Sequence, residues 1–171
     1  MIVFGGREGD GKKRIVNDIF IFDTGKYYGN MAHFLQRHKL LTIQTNHFSF
    51  EFAIERQLWF QPKVDKNKLP QPRMGHSSQL WNGSQIIIYG GWNGFQVLSD
   101  VIFIDLKKGV EKLSFNIPSI IRGEAPMRQF HTASVIENMM FVFGGGDGKY
   151  WLNDLLIFDL TTLEWSGPVA T

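Results

Sequence analysis

The chain has no cysteine among its 171 residues. That removes disulfides, thiolate metal sites, iron–sulfur clusters and cysteine nucleophiles together, and it favours a reducing compartment, so a cytoplasmic location is expected. No apolar stretch approaches the roughly 18 residues of a membrane span. Neither charge is in excess. Eighteen basic against 16 acidic side chains leave a formal +2, and nothing calls for a nucleic-acid or membrane partner. The opening Met1-Ile2-Val3-Phe4-Gly5-Gly6 lacks the basic and apolar regions of a signal peptide and reads as the inside of a strand.

What is abundant is glycine, 18 residues, with 15 Phe and five Trp. Glycine with aromatics and no G-X-Y period points to many short strands and tight turns, and excludes collagen, a coiled coil and a helix bundle. Double glycines stand at Gly5-Gly6, Gly90-Gly91 and Gly144-Gly145, each after an apolar run. Each is followed by a polar loop and an acid-bounded strand: Asp18 to Asp23, Asp100 to Asp105 and Asp154 to Asp159. Arg73 and His76 precede the second pair as Arg128 and His131 precede the third. Gly91 to Gly145 and Asp100 to Asp154 are both 54 residues, and Arg73 to Arg128 is 55. Independent features keeping one period define a repeat.

The first interval is longer. Gly6 to Gly91 spans 85, and Asp23 to Trp59 spans 36 where Asp159 to Trp165 spans 6, so the excess lies between Asp23 and Trp59. A competing register lays Phe48 to Trp59 over Asp154 to Trp165 without a gap and makes the Asn17–Asp23 strand supernumerary.

Each copy reads as a four-stranded antiparallel meander. The uniformly apolar runs suit strands covered on both faces. Asn82-Gly83 marks a hairpin. Trp165, Trp59 and, in the middle copy, Phe115 are wedges between sheets. Arg and His of the connecting segment are expected to bond carbonyls of the following copy.

These features together resemble the kelch-repeat family: Gly-Gly, a variable loop, Asn/Ser-Asp with a following Asp, an aromatic, and a proline with Arg-x-x-His, as in Pro72, Arg73 and His76 or Pro126, Arg128 and His131. The resemblance implies an all-β fold, a partial kelch-type β-propeller of four-stranded antiparallel blades with one insertion. The copies run about 1–24 plus 58–60, 73–115 and 128–167. The first lacks its own first strand and its Arg-x-x-His. Propellers close with about four to eight blades; without the excess the chain holds about 2.6 periods. Ring closure therefore needs further blades from the same or another chain.

Residues 25–57 have a separate character. Met31, Phe34, Leu35, His38 and Leu41 follow a helical spacing, with Asn30 as N-cap. Phe48, Phe50, Phe52 and Ile54 alternate with polar or small residues as a strand does. The segment reads as a rim excursion, a partner-binding lobe, or retained non-coding sequence.

Chemistry finds little purchase. Gly6 to Lys13 nearly matches a phosphate loop, but Lys13 replaces the hydroxyl and a strand follows instead of a helix. His76 and His131 hold one repeat position, and carboxylates recurring in every copy are architecture. The sequence has no Cys for a copper-radical site, no sialidase Asp box and no Gly-x-Ser-x-Gly elbow. No catalytic residue, metal or cofactor is expected. The loops after the glycine pairs differ between copies and are the candidate protein-binding surface: Arg7, Asp10 and Arg14; Trp92, Asn93 and Phe95; Asp147, Lys149 and Tyr150. Trp92, Phe95 and Tyr150 are divided between interface and core, and Trp151 and Leu152 are expected to turn inward. The inter-blade segments 61–71 and 116–126 are expected on the same face. The expected function is a protein-interaction scaffold. The alternatives are a substrate-recruiting or regulatory segment of a larger enzyme, and a carbohydrate-binding propeller with Trp92 and Trp151 as stacking platforms.

Overall fold

A computed structural model describes residues 2–7, 15–23, 26–30, 51–55, 58–60, 62, 64, 69–107, 113–123 and 125–169, with side-chain detail from residue 62 onward. The described residues contain strands and no helix. The chain divides into two compact units, Met1–Val3 with Phe20–Phe60, and Phe4–Ile19 with Gln61–Thr171.

The N-terminal strands are β1 (Ile2–Arg7), β2 (Ile15–Asp23), β3 (Lys26–Asn30), β4 (Glu51–Glu55) and β5 (Leu58–Phe60). A three-stranded sheet has the order β1-β2-β5, and β3 pairs with β4. In β2 and β5, Phe22 lies opposite Trp59 and Asp23 opposite Leu58. Lys26 then lies opposite Glu55, and the register runs on to Asn30 opposite Glu51. The numbers of each opposed pair have the same total in both ladders. The segment after Asp23 is therefore an outgrowth of the β2–β5 hairpin, leaving and returning in one register. The helical spacing from Met31 to Leu41 lies outside the described residues.

Two four-stranded meanders follow. The second blade is β6 (Ser77–Trp81), β7 (Gln85–Tyr89), β8 (Val101–Asp105) and β9 (Ser114–Asn116). The third is β10 (Thr132–Ile136), β11 (Met139–Gly146), β12 (Trp151–Asp159) and β13 (Glu164–Val169). Their registers superpose. Tyr89 faces Val101 as Phe143 faces Leu155, and Ile104 faces Phe115 as Phe158 faces Trp165. Phe22 opposite Trp59 is the same pairing in the first sheet. This overturns the gapless register, in which Phe52 would have taken Phe22's place: β4 pairs with β3 instead. Asn82 and Gly83 both have positive φ, and Ser84 N–H donates to Trp81 O, the tight turn that the dipeptide calls for.

The core lies between the second and third blades. Ile87, Tyr89, Val101 and Phe103 meet Met140, Val142, Leu156, Phe158 and Trp165. In the second blade the alternate set Ile86, Ile88, Ile102 and Ile104 is buried as well, which is why both of its inner strands are apolar at successive positions. Trp165 is the wedge: its ring lies 4.8 Å from that of Tyr89 in the neighbouring blade and 4.7 Å from Phe158 in its own.

Candidate functional site

The scaffold positions resolve first. Arg73 is fully buried; its Nη1 and Nη2 donate to the two carboxylate oxygens of Asp100 at 2.7 and 2.8 Å, and Nη1 also donates to Gly90 O. Arg128 repeats the arrangement on Asp154 at 2.7 and 2.6 Å, with Gly144 O. A bidentate guanidinium fixes both distance and angle, so each connecting segment is pinned to the glycine-pair strand of the blade it enters. For the arginines the carbonyl bond follows the expectation; for His131 it does not, because its partner is a hydroxyl of the preceding blade. The Asp partner was missed, although Arg and Asp recur at nearly constant spacing in both copies. Asp105 and Asp159 instead cap turns, accepting from Lys107 N–H and from the N–H groups of Thr161 and Thr162.

His131 reaches back to the preceding blade, sharing a 2.8 Å hydrogen bond with Ser77 Oγ and lying edge-on to Tyr89. Burial holds both His76 and His131 down to about 4, with Arg73 and Arg128 respectively adding to the effect. Both imidazoles are neutral at pH 7. Burial pushes the Tyr89 phenol up, and its hydroxyl donates to Pro126 O. His131 and Tyr89 tie the third blade and its incoming segment to the second.

The variable loops form one end of the two blades. Met74 bridges Trp92, Gln129 bridges Gly146, and Arg128 N–H donates to Leu98 O. Asn93 Oδ1 accepts from Phe95 and Gln96 N–H, and Asp147 Oδ1 accepts from Lys149 and Tyr150 N–H. Those N–H donors hold the Asp147 carboxyl below its ordinary value. Asn93 and Asp147 are thus equivalent turn formers, whose side-chain oxygens are engaged within the loop. Trp92 is half-buried between Met74 and Val97. Phe95 is 95% exposed and Tyr150 70%. Arg7 ends β1, and Asp10 and Arg14 lie outside the described residues.

Trp151 corrects the inward expectation: it is 78% exposed. Along β12 the core side takes Leu156 and Phe158, and Trp151 falls with Asn153, Leu155 and Ile157 on the other side. Trp151 then stands opposite Gly146 at the sheet tip. The segment before Pro126 corrects another. Ile121 N–H donates to Leu163 O, and Trp165 N–H to Arg122 O, at the end of β13 remote from the variable loops. Ile120 and Ala125 pack on the core. This stretch seals the outer strand.

One residue escaped the sequence reading. Phe130 occupies the repeat position of Gly75, and both have positive φ, 55° and 67°. A left-handed conformation costs an L side chain about 1–2 kcal/mol. The Phe130 ring lies over Gly75, with its centroid 6.4 Å from that of Trp151. A cavity of about 130 Å³ opens between Gln129, Gly146, Gly148, Lys149, Tyr150 and Trp151. The signal was visible as phenylalanine where the previous copy has glycine.

The family model for the KLHDC2/KLHL20/DRC7 Kelch-repeats domain matches residues 37–171. Human host cell factor 2 is 32% identical over 138 residues, covering 70% of this chain and 17% of its own length. Rat host cell factor 1 is 39% identical over 117 residues, covering 57% and 6%. A Dictyostelium discoideum protein named as a probable serine/threonine-protein kinase is 28% identical over 114 residues, covering 66% and 8%. The chain spans less than a fifth of the length of each. It belongs to the kelch-repeat family, whose propellers generally serve protein–protein interaction.

Proposed function

We propose that this chain is a protein-interaction module that engages its partner through the loop end of its blades, in the cytoplasm. The observation that carries this is Phe130. The left-handed backbone recurs in both copies, and phenylalanine adopts it at a cost that glycine at the sister position avoids. It displays an aromatic ring beside Trp151, and Tyr150 and Phe95 project from turns locked by Asp147 and Asn93. Rigid exposed aromatics of this kind anchor interfaces, because little entropy is lost when they are buried. Affinity capture with the parent and with Phe130→Gly/Tyr150→Ala/Trp151→Ala tests the reading. The variant should keep the parent's melting temperature and lose the captured partners. A folded variant that retains every partner would refute it.

A second reading is favoured by the kinase relative: the same loop end recruits a substrate to an enzyme carried elsewhere in the polypeptide. In that case the partners lost by the triple variant are also modified by the full-length protein. Catalysis within residues 1–171 is not part of either reading.

A further inference from the structure

The variable loops of the second and third blades share one backbone and differ in their side chains. Asn93 N–H donates to Gln96 O as Asp147 N–H donates to Tyr150 O. Trp92 pairs across its loop with Val97 as Gly146 pairs with Trp151, and Met74 bridges Trp92 as Gln129 bridges Gly146. Each place in one loop therefore has a counterpart in the other. The second blade carries its indole at Trp92, half-buried, opposite the buried Val97. The third has glycine at that place, and its indole stands across the ladder at Trp151.

The exchange leaves space unfilled. Trp151 is 78% exposed, and its ring edge lies 3.4 Å from where a Cβ of Gly146 would stand, so it walls the glycine rather than replacing the missing ring. The cavity of about 130 Å³ opens here, with Gly146 and Trp151 among its walls. A cavity of about 150 Å³ is enough to hold benzene, so this one has the size of an aromatic ring. Its walls are set in advance. Gln129 and Gly146 exchange two backbone hydrogen bonds of 2.9 Å, and Asp147 locks the turn. A Cβ at Gly148 would come within 3.1 Å of Val97 in the second blade. Gly146 is not among the left-handed glycines, so its backbone does not call for glycine; what glycine supplies is room.

We infer that this pocket receives a tryptophan side chain of the protein partner, at the place where the second blade carries its own. The inference rests on the loop-end reading above and names the residue that the loop end takes. Trp92 is the precedent for an indole at this position of the repeat. Trp151 and Tyr150 line the pocket with aromatic surface against which a ring can pack. Gln129 replaces Met74 in the wall and brings an amide oxygen able to accept the indole N–H. Lys149 replaces Phe95 and adds a cation at the rim, which favours a π-face over an aliphatic chain.

The test titrates the ¹⁵N-labelled full chain with N-acetyltryptophanamide. Saturable shifts are expected at the amides of Gly146, Gly148 and Lys149 and none at their counterparts Trp92, Gly94 and Phe95, so the two loops of one chain serve as pocket and control without any variant. N-acetylleucinamide should bind about tenfold more weakly, for want of aromatic contact. Gly146→Trp should fill the pocket from within, Tyr150 O and the Trp151 ring giving by a few tenths of an ångström, and should abolish the shifts at Gly148 and Lys149. No saturable shift in the parent, equal shifts in both loops, or shifts produced by glucose and not by the indole would overturn the inference. Affinity capture separates it from the reading it rests on, since Gly146→Trp should lose the partners that the parent captures. A folded Gly146→Trp that keeps them, while Phe130→Gly/Tyr150→Ala/Trp151→Ala loses them, would overturn the pocket and leave the loop-end reading standing.

Discussion

Arg73 and Arg128 show how a residue type that usually sits at the surface becomes the pin of a blade. Each guanidinium loses its water, and the loss is offset by a bidentate carboxylate and a carbonyl oxygen. Removing the carboxylate leaves a buried cation alone. Asp154→Ala should therefore cost about 3 kcal/mol, the low end for a broken buried pair because Asp154 still reaches solvent. Urea denaturation would read this as a lower midpoint at unchanged slope. Acid should act through the neighbouring histidines. Their folded values of about 4 lie below the roughly 6.5 of an unfolded histidine. Between those values the unfolded chain binds protons that the folded chain refuses, so stability falls as pH drops from about 6.5 to about 4. Below that, the depressed carboxyl of Asp154, held down first by its bond to Arg128, adds a further loss. His76→Gln with His131→Gln should flatten the upper part of a melting-temperature-against-pH profile and leave the lower part. A profile equally steep in the double variant would contradict the assignment.

At the level of the element, period and punctuation were readable before any coordinates. Asn82-Gly83, the glycine pairs and the acid-bounded strands all report backbone geometry, and backbone geometry is what short motifs encode. The excess between Asp23 and Trp59 was locatable by subtraction, but its form was not. Two alignments competed because Phe52 and Trp59 keep the same spacing as Phe158 and Trp165. Only strand pairing, a non-local property, separates them. The exposure of Trp151 was readable by parity once Leu156 and Phe158 are set inward, and an inward Trp151 beside an inward Leu152 was never compatible with one strand. The continuous register has a consequence. Replacing residues 24–57 by Asn-Gly should leave Asp23 and Leu58 flanking a two-residue turn, and the remaining blade should fold. Thermal melts of the shortened and parent chains should agree within a few degrees. A shortened chain with no cooperative transition would show that the outgrowth is integral to the blade.

At the scale of the molecule, recurrence separates scaffold from recognition. Positions that match between the second and third blades are spent on holding strands and stacking sheets, and the exposed aromatics of the loop end, Phe95, Phe130, Tyr150 and Trp151, occupy positions that do not match. Phe130 against Gly75 is the sharpest case, and it was open to view in the sequence. It passed unnoticed because glycine at a repeat position reads as architecture until its φ is known. The most direct test compares unfolding of Trp165→Ala with that of Phe95→Ala/Tyr150→Ala/Trp151→Ala in one denaturation series. Trp165 is buried against Tyr89 and Phe158, and its loss should cost about 3–5 kcal/mol. The three exposed rings together should cost less than about 1 kcal/mol. A loop variant as destabilised as Trp165→Ala would mean that the display residues hold the blades together, and the division between scaffold and recognition would fall.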